Sequence, residues 1–144
     1  MILFCDTSAL VKLYVREAFS ADVERMAATA EAVAVSRIAW AEAMAALARR
    51  SREHPADEDA IETVRSRLRA DWPEFAIVEV TQPLVELAGE YADTFALRGY
   101  DSVQLAAARI LQEAVSGELC FACFDVRLQK AAKVLGMRTL GRTQ

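Results

Sequence analysis

The chain opens with MILFCDTSALVKLY, residues 1–14, and this stretch decides the fold class. Its apolar run from Ile2 to Cys5 contains no alternating polar residues, which is typical of a parallel strand buried on both faces. The run ends at Asp6, and from Ser8 onward the apolar residues recur at helical spacing. The stretch therefore predicts a buried strand followed directly by a helix, with a carboxylate at the junction.

The same alternation continues along the rest of the chain. Further short apolar segments predict strands at residues 32–35, 75–80, 119–124 and 137–140. Helical patterns fill the intervals: Pro55 ends one helix, Gly99 separates two others, and Gly136 is the expected stop of the last one. Strands that alternate with helices predict an α/β domain whose mostly parallel sheet is covered on both faces.

Composition indicates a single domain over residues 1–144. A chain of 144 residues with 54% hydrophobic and 26% charged residues has the size and balance of one ordered globular unit. The N-terminus lacks the basic stretch of a signal peptide, and no apolar run approaches membrane-spanning length. We therefore expect a cytoplasmic protein with no membrane partner.

The three cysteines are expected to be reduced and buried, because an odd count argues against a disulfide framework. Cys120 and Cys123 form a C-x-x-C string inside an apolar run. A strand places residues three apart on opposite faces, so the two thiols do not suit one metal ion. His54 is the only histidine, which further disfavours a zinc site.

The charge pattern leaves two interpretations of one arginine-rich segment open. The chain has 17 basic and 21 acidic residues, and its net charge of −4 is not typical of a dedicated nucleic-acid binder. Several arginines nevertheless crowd into residues 37–69 among acidic neighbours. They form either a solvated face with ion pairs or a phosphate-contacting surface. The candidates for phosphate contact are Arg49, Arg50, Arg52, Arg65 and Arg69.

Two aspartates directly follow predicted strands, at the sheet edge where ligands of parallel α/β domains bind. Asp6 and Asp125, and also Asp101, stand at the expected start of a helix. Each therefore has an alternative role as an N-cap, and Asp101 with Gln104 fits a variant of the capping box. The two roles are compatible, because a helix N-terminus favours the ionised carboxylate that a metal needs.

Glu42 has no such alternative, because it is predicted to lie in the middle of an alanine-rich helix. Nearly all of its neighbours are apolar, and a charge there is costly unless it is exposed, paired or bound to a metal. An exposed stripe on this helix is the competing interpretation. The functional interpretation is a carboxylate directed into a polar cavity.

Converging carboxylates without histidine or cysteine favour Mg²⁺ or Mn²⁺ over zinc. The chemistry this indicates is metal-assisted hydrolysis of a phosphate ester. Other hydrolytic routes find little support, since the chain has neither a G-x-S-x-G elbow nor a glycine-rich phosphate loop. The string Asp6-Thr7-Ser8 suggests an aspartyl-phosphate phosphatase, but Ser8 replaces the second aspartate of that motif.

Four fragments in order together resemble the PIN domain, particularly the VapC-type toxins of bacterial and archaeal toxin–antitoxin pairs. They are DTSALVKLY at 6–14, Ser36 with Glu42, YDSVQLA at 100–106, and FDVRL at 124–128 followed by Ala131, Ala132 and Gly136. The resemblance implies a three-layer domain, in which a five-stranded parallel sheet lies between helices and gathers the carboxylates at one end.

The resemblance also implies the roles of individual residues. Asp6 and Asp101 would be the main metal ligands, Glu42 would complete the site, and Asp125 would ligate directly or through water. Ser8 resembles the hydroxyl that supports the first aspartate. Cys123 is a departure, because the family usually has threonine or serine two positions before its last aspartate.

The activity implied by the resemblance is a Mg²⁺- or Mn²⁺-dependent endoribonuclease that cuts structured RNA such as transfer or ribosomal RNA. It also implies a homodimer and a cognate antitoxin protein that blocks the cleft with a basic side chain. The alternative is a PIN-like module that binds RNA or protein without cleaving it.

Overall fold

The computed structural model describes residues 1–141, which form one five-stranded sheet with helices packed on both faces. The strands are β1 (Ile2–Cys5), β2 (Ala32–Ser36), β3 (Ala76–Val78), β4 (Leu119–Ala122) and β5 (Arg138–Leu140). Their order across the sheet is β3-β2-β1-β4-β5, and every neighbouring pair is parallel. The predicted three-layer α/β fold is confirmed.

The helices fill the intervals between the strands. They are α1 (Thr7–Lys12), α2 (Ser20–Thr29), α3 (Ala39–Glu53), α4 (Glu58–Asp71), α5 (Gln82–Phe95), α6 (Gly99–Ala114) and α7 (Val126–Val134). Short 3₁₀ turns at Pro55–Asp57 and Trp72–Glu74 follow α3 and α4. Over residues 1–141, no helix combines the length and the apolar character needed to cross a membrane.

The alternating side chains of the central strands divide the core into two layers. Leu3 and Cys5 of β1 pack in one layer with Cys120, whereas Phe4 packs in the other with Cys123. The two thiols of the C-x-x-C string therefore lie on opposite faces of the sheet, as predicted. All three cysteines are buried and free, and burial raises the pKa of the Cys120 thiol to about 11.

Two predicted boundaries are wrong. Helix α3 begins at Ala39 rather than near Arg37, whose N–H still donates to the Val78 carbonyl oxygen at the sheet edge (2.9 Å). Gly99 does not separate two helices but is the first residue of α6. The actual break is Ala96, which ends α5 in the left-handed conformation (φ 54°).

Strand lengths were overestimated at two places, since β3 spans only Ala76–Val78 and β4 ends at Ala122. The predicted C-terminal stop of α7 is confirmed. Gly136 has φ 82°, a conformation that favours glycine, and its N–H donates to the Lys133 carbonyl oxygen at 2.9 Å.

The topology brings the ends of β1 and β4 together. The chain winds from β1 toward β2 and β3 on one side, while β4 and β5 lie on the other. The switch point between β1 and β4 is therefore the expected place for a ligand crevice. The Asp6 N–H donates to the Ala122 carbonyl oxygen at 3.1 Å, which fixes the start of α1 beside the end of β4.

Candidate active site

Asp6 and Asp125 cap the helices that leave the two central strands. Oδ1 of Asp6 accepts hydrogen bonds from the Ala9 N–H at 2.9 Å and from the Ser8 hydroxyl at 2.7 Å. Oδ1 of Asp125 accepts from the Leu128 N–H at 2.9 Å. The capping interpretation is correct for both aspartates. In each, the cap uses one carboxylate oxygen, so capping does not compete with a ligand at the other.

Asp101 lies in the first turn of α6 and is not its cap. The helix begins at Gly99 with Arg98 in the N-cap position, so Asp101 is already inside the helix. The capping-box interpretation is therefore wrong. The Gln104 amide instead donates to Glu42 at 2.9 Å, across the gap between two helices.

Glu42 lies in the first turn of α3, not in the middle of a helix, because α3 begins at Ala39. It is partly buried, and its Oε1 accepts hydrogen bonds from the Thr7 hydroxyl at 3.0 Å and the Gln104 amide at 2.9 Å. Gln104 Nε2 also contacts Thr7 Oγ1 at 3.2 Å. These contacts contradict the exposed-stripe interpretation and hold the carboxylate in one orientation.

All four predicted carboxylates line one cavity of about 380 Å³, which we call the acid cavity. Its lining also includes the basic side chains of Lys12 and Arg98. Lys12 Nζ is bonded to Glu17 at 3.0 Å. The Arg98 guanidinium lies 3.7 Å from Asp101 Oδ2 and 3.9 Å from Asp125 Oδ2.

Burial and crowding of like charges make the acid cavity favourable for a cation. Burial, and then the charges of Asp101 and Glu42, raise the pKa of Asp6 to about 7, although the hydrogen bonds from Ala9 and Ser8 lower it. The pKa of Asp101 is also raised, by burial and then by the charge of Asp125. A bound cation relieves both penalties, because it stabilises the ionised carboxylates.

The donor set of the acid cavity suits a magnesium-like ion. Its lining contains four carboxylates and neither histidine nor cysteine. Within residues 1–141, no three histidine, cysteine or acidic side chains stand close enough to form a metal-binding group by themselves. Mg²⁺ does not need such a cage, since it commonly takes one or two carboxylates and completes its shell with waters and substrate phosphates.

Comparison with known families assigns the fold. The PIN domain family model matches residues 3–134. The chain belongs to the PIN domain family. It is 33% identical over 141 residues to Ribonuclease VapC45 of Mycobacterium tuberculosis, covering 95% of this chain and 93% of that protein. The predicted resemblance to VapC-type PIN domains is confirmed.

Solved structures share the architecture of this PIN domain at low sequence identity. The VapBC2 complex of Rickettsia felis, bound to a promoter DNA fragment, matches with TM-score 0.66 at 12% identity over 99% of this chain and 100% of that one. The M. tuberculosis toxin VapC20, described as cleaving the Sarcin-Ricin loop, matches with TM-score 0.65 at 22% identity over 90% and 94%. Likeness at these identities concerns the fold alone.

The arginines that were predicted to form one RNA-contacting surface lie in different surroundings in this PIN domain. Arg49 and Arg50 line a groove of about 630 Å³ that also contains Glu42 and Thr7, and we call it the Arg49 groove. Arg52 is not in the lining of that groove or of the acid cavity. Arg65 pairs with Glu62 at 3.0 Å, and Arg69 lies over the Trp40 ring at 6.0 Å. RNA contact by these arginines stays a prediction.

Three residues of the site were missed as site residues by sequence reasoning. Thr7 and Gln104 orient Glu42 from helices distant in sequence, so their pairing has no local signature. Arg98 precedes Asp101 by three residues, and the only available signal was this spacing at a helix start. Cys123 stands where the family usually has threonine or serine, and its buried thiol contacts the Asp125 backbone carbonyl oxygen at 3.9 Å.

Proposed function

We propose that this protein is an endoribonuclease that hydrolyses RNA phosphodiester bonds with Mg²⁺ or Mn²⁺ held by Asp6, Glu42, Asp101 and Asp125. The observation that carries the proposal is the acid cavity itself, where four carboxylates at the starts of four different helices line one space beside the switch point of the sheet. The similarity to Ribonuclease VapC45, which is named for this activity, supports RNA as the substrate.

The residues of the inner part of the cavity would hold the metal in a fixed place. Ser8 and the Ala9 N–H occupy Asp6 Oδ1, and within residues 1–141 no hydrogen bond reaches Oδ2, which is left for a ligand. Asp101 and Asp125 supply further carboxylate oxygens from the opposite side. A bound Mg²⁺ lowers the pKa of an attacking water and offsets the charge that develops on the phosphate and the leaving oxygen.

Glu42 is positioned to handle the proton of the attacking water. Its Oε1 is occupied by Thr7 and Gln104, and its Oε2 receives no hydrogen bond from the described residues. The free oxygen can accept a hydrogen bond from a water held in the cavity, and so orient that water for attack on phosphorus. Thr7 and Gln104 would act as positioning residues, since they contact Glu42 rather than the substrate.

We further propose that the protein is the toxin of a VapBC-type pair, with a cognate antitoxin as its partner and a homodimeric state. The similarity to proteins named VapC supports the first part. The antitoxin is expected to contribute a basic side chain to the acid cavity, whose carboxylates would otherwise repel each other. Co-expression with the product of a neighbouring small gene should give a stable complex that no longer cleaves RNA.

The direct test of the proposed activity combines purified protein, labelled transfer and ribosomal RNA, and Mg²⁺ or Mn²⁺. Fragments should form, and a chelator or Asp6→Asn should abolish them. Asp93→Asn is the matched control, because Asp93 is an exposed aspartate of α5 outside the acid cavity, and its activity should equal the wild type. RNA that stays intact while Mn²⁺ binding is demonstrated would overturn the proposal and favour a non-cleaving binding module.

A further inference from the structure

The acid cavity joins two larger grooves that share no lining residue with each other. On one side it shares Thr7, Ser8, Glu42 and Tyr100 with the Arg49 groove. On the other side it shares Arg98, Asp101, Phe124 and Asp125 with a groove of about 670 Å³, which we call the Arg98 groove. The acidic centre thus lies in a continuous trough with arginines at both ends.

The basic residues of the Arg98 groove are Arg98 and Arg127, neither of which was predicted from the sequence to contact a ligand. Arg98 is 70% exposed and its guanidinium lies over the Tyr100 ring at 5.5 Å, but within residues 1–141 it makes no hydrogen bond. Its distances to Asp101 and Asp125, 3.7 and 3.9 Å, exceed hydrogen-bonding range. The donor fork of Arg98 is therefore available to a ligand.

The other basic residue of the acid cavity differs in this respect. Lys12 is 12% exposed, donates to Glu17 at 3.0 Å, and lies over the Phe124 ring at 4.5 Å. Its ammonium group is committed to the protein. Arg127 resembles Arg98 more closely: its Nη1 donates to the Ala96 carbonyl oxygen at 2.9 Å, and the described residues bind no other atom of this exposed guanidinium.

We infer that Arg98 and Arg127 bind RNA phosphates on the side of the acid cavity away from Arg49 and Arg50, so that the RNA strand crosses the whole trough. The inference rests on the proposed function and adds the course of the substrate. A guanidinium presents its donors in a planar fork that matches phosphate oxygens. A strand that passes four carboxylates needs cations on both flanks to offset the repulsion between them and its phosphates.

The order of charges along the trough, with arginines at both ends and carboxylates in the centre, favours RNA over an acidic protein segment as the ligand. An acidic peptide carries a carboxylate only where an aspartate or glutamate falls, whereas every nucleotide linkage of an RNA strand carries a phosphate. An RNA strand therefore places phosphates against arginine at the two ends and against the metal in the middle. Tyr100 is 47% exposed at the junction with the Arg49 groove, with the Arg98 guanidinium over its ring at 5.5 Å. Aromatic rings and guanidinium planes both stack on the bases of single-stranded RNA.

The test measures how RNA binding depends on salt. A short fluorescein-labelled single-stranded RNA is titrated in Mg²⁺ against protein carrying Asp6→Asn, which prevents cleavage, at several salt concentrations. Loss of one phosphate contact lowers the slope of log K against log salt by about 0.7 for a single strand. Arg98→Gln and Arg127→Gln should each lower the slope by about this amount, and the double variant by about twice as much.

Three further variants distinguish the loss of a phosphate-binding charge from other effects of the substitutions. Arg25→Gln is the matched control, because Arg25 is 71% exposed on α2 and lines none of the three cavities. Its slope should equal that of the parent. Arg98→Lys and Arg127→Lys keep the charge and should retain most of the slope, which distinguishes phosphate binding from the loss of the Arg127 contact to Ala96.

Slopes for Arg98→Gln and Arg127→Gln that equal that of Arg25→Gln overturn the inference. The proposed function is judged separately by cleavage with the unsubstituted protein. Cleavage together with unchanged slopes rejects only the course of the strand, whereas reduced slopes without cleavage reject only the nuclease. A wild-type protein that binds no RNA at any salt concentration rejects both.

Discussion

The acid cavity has two walls that treat their carboxylates differently. On the inner wall, Asp6 and Glu42 accept hydrogen bonds from neutral groups, namely two hydroxyls, a backbone N–H and an amide. On the outer wall, Asp101 and Asp125 face the guanidinium of Arg98 at 3.7 and 3.9 Å. Asp6 is buried (6% exposed), and the exposed fraction of the side chain rises from 15% at Asp101 to 41% at Asp125 on the outer wall.

Neighbouring groups orient the carboxylates of the inner wall, whereas a cation partly neutralises the carboxylates of the outer wall. Neutral donors fix the inner carboxylates without cancelling their charge, so the charge remains for a metal ion, and its burial is a cost to the metal-free fold. The outer carboxylates are screened by a cation that makes no hydrogen bond to them and can be displaced. We therefore expect substitution of the buried Asp6 to have a large effect, and substitution of the more exposed Asp125 to have a small one.

The largest expected effect is on catalysis. Asp6→Asn should lower the rate of RNA cleavage by at least about 10³-fold, since it removes a charge that acts in the transition state within a buried site. Asp125→Asn, on the exposed outer wall, should lose only on the order of 10-fold. Single-turnover cleavage at saturating Mg²⁺ measures both, with Asp93→Asn as control. Equal losses at Asp6 and Asp125 would contradict the division into two walls.

The next largest effect is on stability and has opposite signs on the two walls. Without metal at pH 8, Asp6→Asn should stabilise the fold by up to about 4 kcal/mol, because the amide keeps the acceptor for Ala9 and Ser8 but carries no buried charge. Asp125→Ala should destabilise it by about 1 kcal/mol, through loss of the cap on the Leu128 N–H. Urea unfolding measures both changes.

The same cause gives a pH dependence for the metal-free protein. Folding raises the pKa of Asp6 from its ordinary value of 3.8 to about 7, so the folded state binds this proton more tightly than the unfolded state. The stabilisation from this group is complete below pH 3.8 and is lost as the pH rises through about 7. Asp6→Asn should remove this part of the pH profile. A profile that is unchanged in the variant would show that Asp6 is not the group responsible.

A smaller effect is expected from Thr7, which donates to Glu42 on the inner wall. Thr7→Val removes the hydroxyl at nearly constant shape and should weaken Mn²⁺ binding or activity by about 10- to 100-fold, the range for partners that orient metal ligands. Electron paramagnetic resonance of free Mn²⁺ measures the affinity directly. Thr29→Val on α2, where the hydroxyl contacts only its own helix, is the control. Unchanged Mn²⁺ affinity and activity in Thr7→Val would mean that Gln104 alone orients Glu42.

The sequence predicted the outer frame of this site better than its inner contacts. Strand ends are visible in apolar runs, so Asp6 and Asp125 could be placed at one sheet edge. Glu42 was recognised as unusual, but its position within α3 was wrong, because that helix begins at Ala39, after Arg37 has continued the sheet edge through its hydrogen bond to Val78. That bond joins residues far apart in sequence and leaves no local pattern.

The same lack of a local pattern explains why the surroundings of the arginines could not be predicted from the sequence. Arg65 and Arg69 were grouped with Arg49 by proximity in sequence, yet α3 and α4 direct their side chains to different surroundings. Arg98 was passed over, since a single arginine before a helix carries no periodic signal. Its importance depends on the close approach of α6 and α7, which brings Asp125 to the same guanidinium as Asp101. Long-range packing, not local propensity, decides which charges meet.

The smallest expected effect is a change in Mn²⁺ affinity on substitution of the arginine at the outer wall. Arg98→Gln removes the cation that faces Asp101 and Asp125, and metal binding no longer has to displace it. Exposed ion pairs are worth about 0.2–1 kcal/mol, so the affinity for Mn²⁺ should rise only about 1.4- to 5-fold. The same substitution lowers the salt dependence of RNA binding, so metal and RNA affinities should move in opposite directions. Arg25→Gln should move neither. If Arg98→Gln instead weakens Mn²⁺ binding, Arg98 orients the outer carboxylates as Thr7 orients Glu42, and the two walls work by the same principle.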